Sequence, residues 1–321
     1  MKKPALVLTT IVLSLLCFAE AAYSWGGAVH AFLAEQYSAK NKLTAGNQIY
    51  GGFTPDIFNF RFDAPDYMAY LYGQTHNNAM QVWDAARSKP EQALALGFVS
   101  HNELWGADFT AHRSGITFGQ LGSIPGKPNE GGYIIAKAYL LKAMLEQDPV
   151  YNALQLPDAV SLEVAHNLVE YGVDILMKNL DPQIGSIMIE SAHQPNPAIP
   201  LLLQKAYAAD FSEHFGIRSV DALMFMRSSE QDFRTMMTFY GQALMQDDTT
   251  SVLLLSEQLA QLAAQFLASY GIALPPGVDI APLLQSGIML SMMLCANDFG
   301  AEVLATAGFV DQQLVLHGIS Y

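Results

Sequence analysis

What most constrains this chain is the spacing of its apolar residues. Runs that alternate apolar and polar residues with β-branched side chains are scarce, whereas Ala, Leu, Met, Gln and Glu recur at three- and four-residue intervals. Such a pattern keeps one stripe of a helix apolar and gives a strand no consistent inner face, so the chain is predicted to be all-α, a bundle of many helices. Leu255, Leu259, Leu262 and Phe266 show it clearly: they make one stripe within 252–269, read most simply as core, with Pro275-Pro276 stopping the helix. At 321 residues, 51% hydrophobic and only 14% charged, the chain can fill a large core, and disorder is excluded.

The first 24 residues read differently. Met1-Lys2-Lys3 precedes an apolar run from Ala5 to Ala19 and then small residues, the order of a secretory signal peptide, and the run is short for a bilayer span of roughly 20 residues. Export to the periplasm or beyond follows. Ala19-x-Ala21 and Ala22-x-Ser24 both satisfy the small-residue rule for cleavage, and the second leaves Trp25 as the new N-terminus.

Gly51-Gly52, Gly73, the stretch from Gly115 to Gly132, and Pro195, Pro197 and Pro200 mark expected loops. The proline cluster divides the mature chain into residues 25–195, which hold six of the eight histidines and are read as the metal-dependent catalytic part, and 196–321, a helical region without an assigned role, packed on the first. Residues 281–297 are apolar, but Gln285, Asp298 and Glu302 favour a buried helix, so no transmembrane segment is expected in the mature chain.

Charge and cysteine content exclude whole classes of function. Sixteen basic against 30 acidic residues give −14, and removal of Lys2, Lys3 and Glu20 with the leader leaves 14 against 29, or −15. Duplex nucleic acid is therefore a poor partner. Cys17 lies in the leader and Cys295 has no second cysteine in the mature chain, which rules out a disulfide framework.

Chemistry concentrates in a series of histidines and carboxylates. If residues 95–112 form one helix, Asp108 and His112 fall at roughly −20° and +20° from His101, so three metal-capable side chains share a stripe. His166 and Glu170 stand one turn apart, followed by Asp174 a turn later. Two such helices packed together make a nitrogen and oxygen cage suited to zinc or another borderline metal. Asp63, Asp66 and Asp174 are candidates for supporting carboxylates, with ordinary solvated acids as the simpler reading of each. His193, His214 and His317 have no partner at such spacing.

On these residues the chain resembles the superfamily of bacterial zinc-dependent phospholipases C and the fungal and plant single-strand nucleases. In that family the mature chain begins with tryptophan, whose α-amino nitrogen and carbonyl oxygen bind zinc; Trp25 and His30 match, with an interval like that of the nuclease branch. Pro55-Asp56 matches the family's Pro-Asp ligand and His76 its following histidine. His101, Asp108 and His112 resemble the central histidine, bridging aspartate and histidine, and His166 with Glu170 matches the closing pair, which ends in glutamate as in the phospholipase branch. The family's usual intervals around the bridging aspartate point to Trp105 and Gly106, which have no ligating side chain, so the bridge is assigned to Asp108 with Glu103 as the fallback. The resemblance covers roughly residues 25–175.

The resemblance implies three zinc ions: one held by Asp56, His76, His101 and Asp108, one by His112, His166 and Glu170, and one by Trp25, His30 and Asp108. It implies hydrolysis of a phosphodiester, with Asp108 essential to the metal geometry and Asp56 able to orient or deprotonate the attacking water. A phospholipid at a membrane surface is the expected substrate. A single-strand nuclease and a noncatalytic, metal-stabilised binding protein are the alternatives. Phe58, Phe60, Phe62, Tyr67, Tyr70 and Tyr72 between Asp56 and His76 suit acyl chains, stacked bases or core packing alike.

Overall fold

The computed structural model describes residues 24–37, 44–124, 126–127, 129–193, 198–274 and 278–319. The expected signal peptide, apart from Ser24, and the prolines at 195, 197, 275 and 276 lie outside the described residues. Among those described the fold is all-α with no strand. Cys295 is buried and has no disulfide partner there.

The site-bearing helices are α1 (Gly27–Tyr37), α2 (Ala45–Phe53), α3 (Pro65–Asn77), α4 (Met80–Ala85), α5 (Lys89–His101), α6 (Tyr133–Leu145), α7 (Pro149–Ala153) and α8 (Asp158–Leu176). A 3-10 turn over Thr54–Phe58 follows α2, and a π-helical turn over Phe109–Arg113 follows α5. Behind them come α9 (Ile184–His193), α10 (Ala198–Phe215), α11 (Ser219–Leu244), α12 (Asp248–Ser269), α13 (Ala281–Cys295) and α14 (Phe299–Leu316). Residues from both sides of position 195, such as Phe53 with Phe233 and Phe58 with Phe225, join in one apolar core.

Gly51 and Gly52 are not a loop. They lie inside α2, where absence of a side chain lets α2 and α5 touch backbone to backbone: a Cβ on Gly51 would fall 2.1 Å from the Leu94 carbonyl oxygen, and one on Gly97 2.0 Å from that of Gln48. Glycine here costs helix propensity of about 1 kcal/mol and is retained for close packing. Gly73 also lies within a helix, α3, and Pro200 sits in the first turn of α10, where proline is tolerated. The stretch from Gly115 to Gly132 does contain an open loop, with Gly119 and Gly122 at φ +67° and +80°.

Capping fixes where α5 begins. Ser88 and Glu91 form a reciprocal capping box, and the Glu91 carboxylate also takes Lys205 Nζ of α10 at 2.6 Å. No single described helix is long and apolar enough to cross a membrane; α13 and α14 pass such a test only together and are bent by 73°.

Candidate metal centre

Six short elements deliver the site residues. His30 comes from α1, Asp56 from the 3-10 turn, His76 from α3, His101 from the last residue of α5, His112 from the π-turn, and His166 and Glu170 from α8. The continuous helix expected over 95–112 does not form. It ends at His101 because Asn102 adopts φ −38°, ψ 157° and its side-chain oxygen accepts from the Leu104 and Trp105 amides, at 2.8 and 3.0 Å. Gly106 then packs against the Asn102 backbone, and the π-turn follows. The turn still returns Asp108 to His101, with Nε2 3.0 Å from Oδ2.

Asp108 is the hub. Its Oδ1 lies 3.2 Å from His30 Nε2, its Oδ2 3.7 Å from His76 Nε2, and it is wholly buried. Asp56 Oδ1 is 3.3 Å from His76 Nε2 and 3.6 Å from His101 Nε2, and the His30 and His101 rings stack with centroids 3.7 Å apart. Three groups bring ligand atoms within 4.8 Å of one another: His30, His101 and Asp108; Asp56, His76 and His101; and Glu103, Asp108 and His112. Such buried groups can hold a metal ion.

The fit rests on which nitrogen carries each proton. Nδ1 of His101 faces the Gly52 carbonyl oxygen at 2.8 Å, and Nδ1 of His76 faces the Tyr72 carbonyl oxygen at 3.0 Å. Each carbonyl can only accept, so each ring donates through Nδ1 and turns a lone pair at Nε2 toward Asp108 and Asp56. Where the ring is neutral and the carboxylate ionised, acceptor faces acceptor in a buried space and repels; a proton or a shared cation between them reverses the sign.

Electrostatics agree. Burial, reinforced by the nearby imidazoles, holds His30 well below its ordinary range, and burial also lowers His101 against the pull of Asp56. His166 is likewise held well below by burial and by His112. Burial raises Asp108 well above the usual carboxylate range, with His112 and His76 opposing. Burial also works to raise Asp56, but His101 and His76 outweigh it and hold that carboxyl low. Burial thus opposes charge both on His30 and His101 and on the Asp108 carboxyl between them, an arrangement a metal ion stabilises.

His166 and Glu170 fall in none of the three ligand groups. His166 Nε2 lies 3.1 Å from Glu170 Oε1, and the His112 and His166 rings are 5.6 Å apart. Glu103, the fallback for the bridge, meets Nδ1 of His112 at 2.5 Å and so orients that ring while standing close to Asp108. Trp25 is fully buried, its Nε1 donating to Thr110 Oγ1 at 2.9 Å and its ring stacked on Tyr133 at 5.3 Å. Its neighbour Ser24 enters the site: the amide donates to Glu170 Oε1 at 2.9 Å, and Oγ lies 3.1 Å from His30 Nε2.

No protein-family model, curated protein or solved structure matches the chain.

A cavity of about 190 Å³ opens beside this cluster, with Ser24, Asp56 and Glu170 in its wall. Of the stripe read from sequence as core, Leu255 and Leu259 are core and Leu259 also reaches the cavity, whereas Leu262 and Phe266 line the cavity and are only partly buried. Of the aromatic stretch, Phe60 and Phe62 face the cavity, whereas Phe58 and Tyr67 pack on Phe225, Tyr70 on His214, and Tyr72 on His76.

Sequence reasoning missed Asn59, whose Nδ2 donates to Asp56 Oδ1 at 2.7 Å; its place three residues after Asp56 in a tight turn was the available signal. Asp174 supports the site from behind, accepting from the Ala28 and Val29 amides and the Tyr240 hydroxyl, which fixes the start of α1. Asp63 pairs with Arg61 and Asp66 is exposed. His193 and His317 are exposed and hydrogen bond within their own helices, and His214 stacks on Tyr70.

Proposed function

We propose that this chain is an exported, zinc-dependent phospholipase C that hydrolyses a glycerophospholipid phosphodiester to diacylglycerol and a phosphorylated headgroup. The observation that carries the reading is the convergence of His30, His76 and His101 on Asp108 and Asp56 beside an apolar cavity. The donor set, rich in imidazole with carboxylate, suits zinc better than magnesium or calcium.

The reading takes three ions from the resemblance: Asp56, His76, His101 and Asp108 for one, His112, His166 and Glu170 for the second, and Trp25, His30 and Asp108 for the third. The groupings of His30 with Asp108 and of Asp56 with His76 and His101 support it. When bound, such ions acidify water toward neutrality and neutralise charge accumulating on a phosphodiester. The rest is done by the chain. Asn59 and His76 engage Oδ1 of Asp56, while Oδ2 touches Ser24 Oγ at 3.4 Å. Removal of Ser24 would release Oδ2 from this contact, leaving it able to orient or deprotonate the attacking water. Glu103 holds the His112 ring.

Processing belongs to this mechanism. Cleavage after Ser24 converts the Trp25 amide into an α-amino group with an ordinary pKa near 7.7–8.0, able to lose its proton and bind metal as a peptide nitrogen does not. It also withdraws Ser24 from Glu170 and His30.

No lysine, arginine or histidine is among the cavity's described lining residues, which contain Asp56, Glu163 and Glu170. A polynucleotide meets repulsion there, whereas a lipid with few net charges does not, and this favours the phospholipase over the nuclease reading. The test is hydrolysis of phosphatidylcholine and single-stranded DNA, side by side, by protein beginning at Trp25. Activity on the lipid that chelation abolishes and zinc restores is the expected result. Activity on DNA alone assigns the nuclease, and a folded, zinc-loaded protein inert on both is a binding module.

A further inference from the structure

Residues 196–321 lie outside the part of the chain that resembles the family, yet they build most of the cavity's apolar wall through Phe233, Met236, Leu259, Leu262 and Phe266. We infer that α11 and α12 form an acyl-chain site, with the tail of the lipid running from the metal centre along α8 toward Ala263. The inference takes its occupant from the phospholipase reading, but its test does not depend on hydrolysis.

The direction comes from α8. Glu170, Asn167, Glu163 and Val164 all line the cavity, and Glu170 also contacts His166 and the Ser24 amide. From Glu170 back to Val164 the helix axis runs ~9 Å. At Val164 the wall changes: a second, smaller pocket of about 20 Å³, almost wholly apolar, shares Val164, Ala263 and Leu284 with the first. Glu163 and Asn167 keep one side of this path polar, while the partition of Val164, Ala263 and Leu284 beyond it is apolar and lies about two turns of α8 from Glu170. Ala263 is the smallest side chain in that partition.

The geometry makes chain length a readable quantity. Neutral monoacylglycerols of increasing length are the probe, since they carry no phosphate, and binding to the metal-free protein is followed by calorimetry. Affinity is expected to rise by about fourfold per buried methylene and then level off. Ala263→Phe is expected to make it level off at a shorter chain, and Leu262→Gln, at a partly exposed position, to weaken long-chain binding by about tenfold. Identical length profiles for both variants and the parent, or no binding of any monoacylglycerol as monomer, overturn the inference. Tight, length-dependent binding in a protein that hydrolyses no phospholipid overturns the proposed function and leaves the acyl site standing.

Discussion

His101 Nε2 lies 3.0 Å from Asp108 Oδ2, although a helix end, a five-residue turn and the approach to a π-helix separate them. Asp108 thereby meets imidazoles from α1, α3 and α5 at once. With Nδ1 of His101 committed to the Gly52 carbonyl, the facing atoms are both acceptors, and the pair is intelligible as half of a metal site.

Asp108→Asn is predicted to separate metal binding from folding. Burial, with the nearby Glu103 and Asp56 carboxyls, disfavours the Asp108 carboxylate, so without metal the variant should match or exceed the parent in denaturant resistance. With saturating zinc the parent should gain and the variant should gain less, with zinc affinity down by on the order of 100-fold or more. Urea unfolding with and without zinc measures both.

Glu103→Gln tests the role of the neighbouring carboxylate. Held at 2.5 Å from His112 Nδ1, Glu103 orients that ring, and the substitution should lower zinc affinity or activity by about 10–100-fold, less than Asp108→Asn does. A larger loss than that of Asp108→Asn, measured by zinc titration, would make Glu103 the bridge.

All-α architecture was legible because helical spacing of apolar residues leaves few alternatives. The ligand series was legible as residue types, but its geometry was not. Reading 95–112 as one helix put Asp108 beside His101 for the wrong reason: Asn102 competes for backbone amides through its side chain, a choice that helix periodicity does not register. Gly51-Gly52 looked like a loop because close helix contact and chain flexibility call for the same residue. Leu262 and Phe266 looked like core because an apolar stripe reads alike whether it meets protein or a cavity.

Gly26→Ala should loosen the N-terminal end of the site. A Cβ there would lie 2.4–2.6 Å from the Asp174 carboxylate, which the Ala28 and Val29 amides and Tyr240 already hold in place. A cost of about 1–3 kcal/mol is expected, together with weaker zinc binding, both measurable on one purified variant.

Away from the site, Glu91 predicts a pH signature. Its carboxyl is held at about 2 by Lys205 and by the Arg87 and Ser88 amides. A depressed carboxyl contributes stability that is present above the unfolded value near 4.5 and is lost as pH falls toward 2. Glu91→Gln should therefore cost about 1 kcal/mol at pH 7, and the gap from the parent should close between pH 4.5 and 2 in urea titrations.

The most direct test of the central claim is anomalous diffraction at the zinc absorption edge from crystals of the protein beginning at Trp25, grown with zinc. The account predicts peaks within coordination distance of Asp108, shared with His101 and His30, and a further peak at His112, His166 and Glu170. Zinc confined to the surface, with Asp108 bare, would contradict it.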